Sequence, residues 1–562
     1  MWVVPLRNVR FVLPALVATG ALTLGGCSAA DPDDAARPEE SAPSVAVREI
    51  EEHAVLLDSA DPAELALTAS QTVYARAETV VLADAEDADA RGALAAAAVA
   101  VRGPALLARA DGADGGLGEE LQRLGARAAV VVGDADSAAA VAAEAAGVQV
   151  VNVAADVVGP AGSPDADAGG YPALDDDDLA DLRADLEDVV GAPVALAGED
   201  GAADPELLRE VLVVVDPMPG QEAAIASLRA AGAVASEVAG GDLGALHAVQ
   251  TLDEAQALTV VGVGPSFGDP GDFAWRVAAA ERAAVLPTGS QHLLPARYVT
   301  TTADRWDDPE AAVARAQAAA AAYEGADPAS AEDASEDDDS AVDGDATEDA
   351  EGDDAAEDAG PVVPTLVVTA STSSSVPGED GDWVDEEELD VLGPLLDAAR
   401  AAGLYVLLDV GAGSAPLVEE VRAVEPLLRD PGVGIAVHPE RRLGDGYATP
   451  SHEVTAAEVQ AVIDLLAETM TREGLPPTLL VVHQTRPESV TDRGALRPAP
   501  QVEVVLAADR TGGTTTGEWV WEQVTADVPP GVHLGWSGPE YPYPGVAGSV
   551  PSEPAPVLVA AS

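Results

Sequence analysis

Five residues in the last third of the chain could do chemistry together. Asp409, Glu440 and Asp509 are carboxylates, His438 and His483 are imidazoles, and each closes or follows a short apolar run. The runs are 405–409 (YVLLD), 434–440 (GIAVHPE), 479–484 (LLVVHQ), 502–509 (VEVVLAAD) and 532–536 (VHLGW). In a parallel barrel or doubly wound sheet the site forms at the carboxyl ends of the strands. That is where these polar residues would collect. Glycoside hydrolysis uses two carboxylates roughly 5–10 Å apart, one of them an acid of raised pKa. Asp409 and Glu440 are the candidate pair, with Asp509 a third. His438, His483 and Gln484 are candidate binding residues, and Trp536, like Tyr541, could stack on a sugar face. A zinc set of His438, Glu440 and His483 has suitable donors. It lacks an H-E-x-x-H pair, however, and Pro439 separates two of its members, so no metal is expected. A serine hydrolase is disfavoured because no G-x-S-x-G elbow occurs. The plainer alternatives are that Glu440 pairs with Arg441 or Arg442 and that Asp409 caps a loop.

The elements that must position these residues alternate strand-like and helix-like. From 361 to 562 the runs above, together with 362–369 (VVPTLVVT), make about six strands, separated by helical patterns at 384–402, 415–428, 453–473 and 517–524. A standard (β/α)8 barrel needs eight strands. Either the preceding region supplies strands or the barrel is incomplete. Residues 47–323 also alternate, with strand-like 79–83, 128–133, 211–216 and 258–264 between Ala-rich helical stretches. That is the pattern of βαβ units on a parallel sheet, and its recurrence suggests an internal duplication. The expected fold class is α/β, with Rossmann-like repeated βαβ units followed by an incomplete or irregular TIM-barrel-like domain. Between the two lies 324–360, acidic and without a basic residue, which cannot bury enough surface to offset its chain entropy and is expected to be a disordered linker.

Composition narrows the partners. The 562 residues are 48% hydrophobic but only 3% aromatic, so two or three aliphatic cores are expected. All 28 basic residues are Arg, against 99 acidic ones, for a net charge of −71. Nucleic acid is an improbable partner, because phosphate binding needs clustered cations. Nucleotide binding is disfavoured as well. Residues 262–268 spell G-x-G-x-x-x-G, one residue too long for the dinucleotide fingerprint, and without Lys there is no Walker motif. No EF-hand loop occurs either, and no cofactor is expected.

The N-terminus carries an address. Arg7 and Arg10 precede the apolar stretch 11–25, which ends at Leu24-Gly25-Gly26-Cys27. This is a secretory signal pattern, and the closing residues resemble the bacterial lipobox. The resemblance implies cleavage after residue 26 and a lipid on Cys27, the only cysteine of the chain. Residues 27–46 would then be a flexible tether. The expected location is extracytoplasmic, anchored to the outer face of the cytoplasmic membrane.

Two further resemblances follow from the folded regions. Residues 80–134 carry an Ala-rich helix at 94–100, Pro104 to Leu107, Leu124-Gly125-Ala126 and an apolar strand ending at Gly133-Asp134. In that order they are similar to the type 2 cell wall-binding repeat, which implies association with a wall polymer. The words 403–409 (GLYVLLD), 433–443 (VGIAVHPERRL), 455–459 (TAAEV), 474–476 (GLP) and His483-Gln484 resemble a group of secreted lipoproteins of high-GC Gram-positive bacteria. Their C-terminal part looks like a glycosidase-type TIM barrel. This chain departs from that pattern, with His438-Pro439-Glu440-Arg441 for Asp-Pro-Glu-Trp and 411–414 (GAGS) for Gln-Pro-Gly-Arg. It also has Gly535-Trp536-Ser537 for Gly-Trp-Lys. Loss of an acid, an Arg and a Lys from one rim implies a degenerate member. The expectation is therefore a lipid-anchored envelope protein, a non-catalytic module binding a cell-wall polymer or glycan, with a glycosidase-like hydrolase as the alternative.

Overall fold

The computed structural model describes residues 45–110, 116–155, 174, 176–191, 194, 196, 208–324, 360–378, 380–444, 446–509, 514–537 and 554–560. The signal stretch, Cys27, residues 28–44 of the tether, Tyr541 and residues 325–359 of the acidic stretch lie outside them, and the expected tether ends earlier than 46, because Val45–Val47 is a strand paired with Tyr74–Ala77. Among the described residues no helix is long and apolar enough to cross a membrane.

Eight parallel strands close a barrel. In order they are Arg297–Ala303, Val362–Thr369, Tyr405–Val410, Val433–Val437, Thr478–Gln484, Val502–Asp509, Val532–Ser537 and Leu558–Ala560. Tyr298 pairs in register with Leu558, which joins the first strand to the last. The barrel is thus complete, and of the two alternatives left by six legible strands the borrowing one holds. The first strand comes from before the acidic stretch and the eighth from the end of the chain. The acidic stretch therefore enters between the first barrel helix, Pro309–Glu324, and the second strand.

Strand alternation divides the barrel into two cores. Val406, Leu408, Ile435, Val437, Leu480, Val482, Val504 and Leu506 face outward onto the helices. Those helices present apolar residues at helical spacing, such as Val459, Val462, Ile463, Leu466 and Met470 of Ala456–Glu473. That helix starts in a capping box between Thr455 and Glu458 and stops at Gly474, φ +60°. The 384–402 helical reading is corrected at its start, since Val384–Glu386 pairs as a hairpin with Ser371–Ser373 and the helix runs Leu389–Ala401. The inner face carries Tyr298, Tyr405, Leu407, Ala436, Leu479, Val481, Val505 and Ala507. Tyr405 crosses the lumen to meet Tyr298 edge on at 5.3 Å, and its hydroxyl accepts from the Leu479 amide at 3.0 Å. Gly434 makes that crossing possible, because a Cβ there would sit 3.0 Å from the Tyr405 hydroxyl and 2.6 Å from the Leu479 carbonyl.

Before the barrel come two four-stranded parallel sheets. The first has the order Ala105–Ala108, Thr79–Asp84, Ala128–Val132, Gln149–Val153. The second has Val234–Glu237, Val211–Val215, Thr259–Val263, Ala54–Leu57. Taken strand by strand the orders are the same, with one difference of connection: the last strand of the second sheet comes from the beginning of the chain. The G-x-G-x-x-x-G glycines have packing reasons. A Cβ on Gly262 would lie 2.7 Å from the Phe273 ring, and Gly264 takes φ +109° beside Gln221. The second sheet is joined to the base of the barrel through the helix Pro270–Ala283, whose Trp275 indole donates to the Leu475 carbonyl at 3.0 Å and whose Arg282 donates to that of Glu473 at 2.5 Å.

Candidate functional site

Four consecutive inner strands bring the ionisable residues together. Asp409, His483 and Asp509 continue the inward register of Leu407, Val481 and Ala507, and His438 follows Ala436 one step past its strand. At the carboxyl end of the lumen they form one cluster. His438 lies at its centre, 6% exposed, with Nδ1 2.7 Å from Glu440 Oε1 and Nε2 2.7 Å from Asp409 Oδ1. The first contact is a hydrogen bond, the second an ion pair off the line of one, because Asp409 Oδ1 is buried with no well-aligned donor. Glu440 Oε2 is likewise buried and unpartnered. The His483 ring stacks on that of His438, centroids 4.3 Å apart and planes 14° from parallel, and its Nδ1 is 2.8 Å from Asp509 Oδ1. Arg441, half exposed, reaches Glu440 at 3.4 Å.

The electrostatics follow from this arrangement. Burial alone would push the His438 imidazole down, but the charges and contacts of Asp409 and Glu440 outweigh it and raise the pKa to about 10. His438 is therefore an imidazolium at neutral pH. Burial alone would also raise Asp409 and Asp509. For Asp409 the charge of His438, then His483 and Arg441, overcomes it, and the carboxyl is held below its usual range. For Asp509 it is His483 first, then His438 and the Ser537 hydroxyl, with the same result. Neither aspartate is an acid of raised pKa. Asp409 and Glu440 bind opposite nitrogens of one ring, so the two candidate catalytic carboxylates face a shared cation rather than each other across open space.

Within this cluster the donors that lie within 4.8 Å of one another, and could together hold a metal, are His438, His483 and Asp509. Asp509 thus stands where the sequence-based set had Glu440. A metal there would have to displace a proton from His438, whose two ring nitrogens both face carboxylates.

Gln484 and Trp536 do not join the cluster. Both have the outward register. Gln484 is fully buried and receives Arg493 at 3.4 Å, while Trp536 packs edge on against Trp521, 5.8 Å between centroids, under the helix Thr514–Thr525. Ser537, one residue beyond Trp536 and inward, is the member that sequence reasoning missed. Period-two alternation from Gly535 would have found it.

No protein-family model matches the chain, and no curated protein does. Among solved structures, Cwp6 from Clostridium difficile aligns at 13% identity over 68% of this chain with a TM-score of 0.28. The alignment spans 62% of the Cwp6 chain, and a likeness of this size carries no argument about function.

Proposed function

We propose that this is an extracytoplasmic, lipid-anchored envelope protein whose barrel mouth binds a hydroxyl-rich glycan without cleaving it. The location rests on the signal pattern that ends at Cys27. The binding reading rests on one observation: Glu440 holds the His438 imidazolium through Oε1, while its Oε2 is buried with no hydrogen-bond donor. Buried acceptors of this kind call for a donor, and sugar hydroxyls are donors. Hydrolysis fits less well, because it needs a carboxylic acid of raised pKa and both aspartates of the cluster are depressed. With a net charge of −71 the chain suits a neutral glycan better than an anionic wall polymer.

The test uses the full chain with Cys27→Ala, which should appear in the medium while the native protein stays with the membrane. The released protein is titrated with neutral envelope polysaccharide, and Glu440→Gln should weaken binding roughly tenfold or more, the scale of one charge-assisted hydrogen bond. Equal binding by both would sink the glycan reading. Reducing ends released by the native protein and not by Glu440→Gln would replace it with the hydrolase. Retention of Cys27→Ala at the membrane would refute lipid anchoring.

A further inference from the structure

A second group of acids stands beside the barrel mouth, apart from the histidine cluster. The hairpin after the second barrel strand carries Asp382 and Glu386, and the helix Leu417–Val424 after the third strand carries Glu420. Their carboxylate oxygens lie within 4.8 Å of one another. Glu420 is 4% exposed, its Oε1 is buried with no hydrogen-bond partner, and its carboxylate offers an oxygen within 4.8 Å of the other two. Glu386 and Glu420 also line a cavity of about 210 Å³ with Ser371 and Glu388.

We propose that Asp382, Glu386 and Glu420 form a calcium site that ties the hairpin to the helix. Hard oxygen donors from separate elements, one of them buried and unpaired, are what Ca2+ takes, with waters completing six to eight ligands. The local electrostatics agree. Burial and then the charges of Asp382, Glu386 and Asp380 push Glu420 up to about 8, with only a weaker opposing pull from Arg442. Arg442 itself is paired with Glu458 at 3.1 Å. Burial and the neighbouring acids raise Glu386 and Asp382 as well. The ligands come from two elements and do not follow EF-hand spacing, so no loop motif marks them.

Decalcified full chain is unfolded thermally with Ca2+, with Mg2+ and with neither, and compared with Glu420→Gln, with Asp382→Asn and with the exposed control Glu468→Gln. Calcium should raise the midpoint of the native protein and of the control more than magnesium does. Both site variants should lose the rise, and Glu420→Gln should unfold at a higher temperature than the native chain when no cation is present. Calorimetric titration with Ca2+ should show a binding heat in the native chain that is absent in Asp382→Asn; this readout stands even if Glu420→Gln does not fold. Equal calcium shifts in native and site-variant chains would place the ion elsewhere on this acidic protein and overturn the proposal. So would no shift at millimolar calcium, or a response to Mg2+ alone.

Discussion

The imidazolium of His438 makes a prediction that this composition allows to be read cleanly. Its pKa rises from 6.5 to about 10 on folding, and at about 1.4 kcal/mol per tenfold the clamp contributes roughly 5 kcal/mol. A group raised in the folded state stabilises fully below its unfolded pKa, and the contribution is lost as pH climbs through the folded value. For His438 the loss therefore runs from 6.5 to about 10. Other proteins hide such a slope under titrating lysines, but this chain has none. The buried phenols of Tyr74, Tyr298 and Tyr405 are all raised, so their effect begins only above the ordinary tyrosine range. Glu420, raised to about 8, lowers stability as pH climbs from 4.5 to that value and is silent beyond it. Between about pH 8 and 9.5, urea unfolding of the Cys27→Ala protein should lose about 1.4 kcal/mol per pH unit, ~2 kcal/mol in all. His438→Gln, which leaves two buried carboxylates without their cation, should be less stable at pH 7 by about 3–5 kcal/mol. Its curve should converge on the parent curve across that window. Parallel curves would show that His438 is not the cation of the cluster, and the electrostatic reading of the site would fall with it.

Two structural substitutions test the packing. Gly262→Ala should cost about 1–3 kcal/mol by urea unfolding, the usual price of overpacking, because its Cβ would press to 2.7 Å on the Phe273 ring; an unchanged midpoint would mean that the glycine serves something other than fit. Trp536→Ala should remove the edge-to-face contact with Trp521 and cost about 3–5 kcal/mol, seen as lost near-ultraviolet circular dichroism. Weakened glycan binding at full stability would instead return Trp536 to the rim.

The alternation of strands and helices was legible wherever an element was long and apolar. The runs at 362–369, 405–409, 479–484 and 502–509 all became barrel strands. The closing strands were harder to see for physical reasons. Leu558–Ala560 has three residues, too few to show a period, and Arg297–Ala303 carries three threonines and stands on the far side of the acidic stretch. The edge strand Ala54–Leu57 was hidden differently, since nothing local says that it pairs with Thr259–Val263, some two hundred residues on. Short elements with distant partners are specified by tertiary contacts, which a window along the chain does not contain.

For the site, residue type was visible and direction was not. Each apolar run ends in polar residues, but consecutive strand positions point to opposite faces, so His483 and Gln484 cannot both enter the lumen. The inner face is marked in the sequence by residues small enough to let others cross it: Gly434 and Ala436 lead to His438, Ala507 to Asp509, and Gly535 to Ser537. Counting by two from these small residues places His438, Asp509 and Ser537 inward and Trp536 against the helices, whereas the strands of Asp409 and His483 have Leu407 and Val481 at the inner positions and carry no such mark. The same count explains why the cluster is electrostatically self-contained. Four neighbouring strands deliver two aspartates and two imidazoles to one layer of the lumen, and His438 can be buried as a cation only because Asp409 beside it and Glu440 beyond the strand end supply opposite charge within 2.7 Å. A neutral residue at 438 would strand that charge in the lumen.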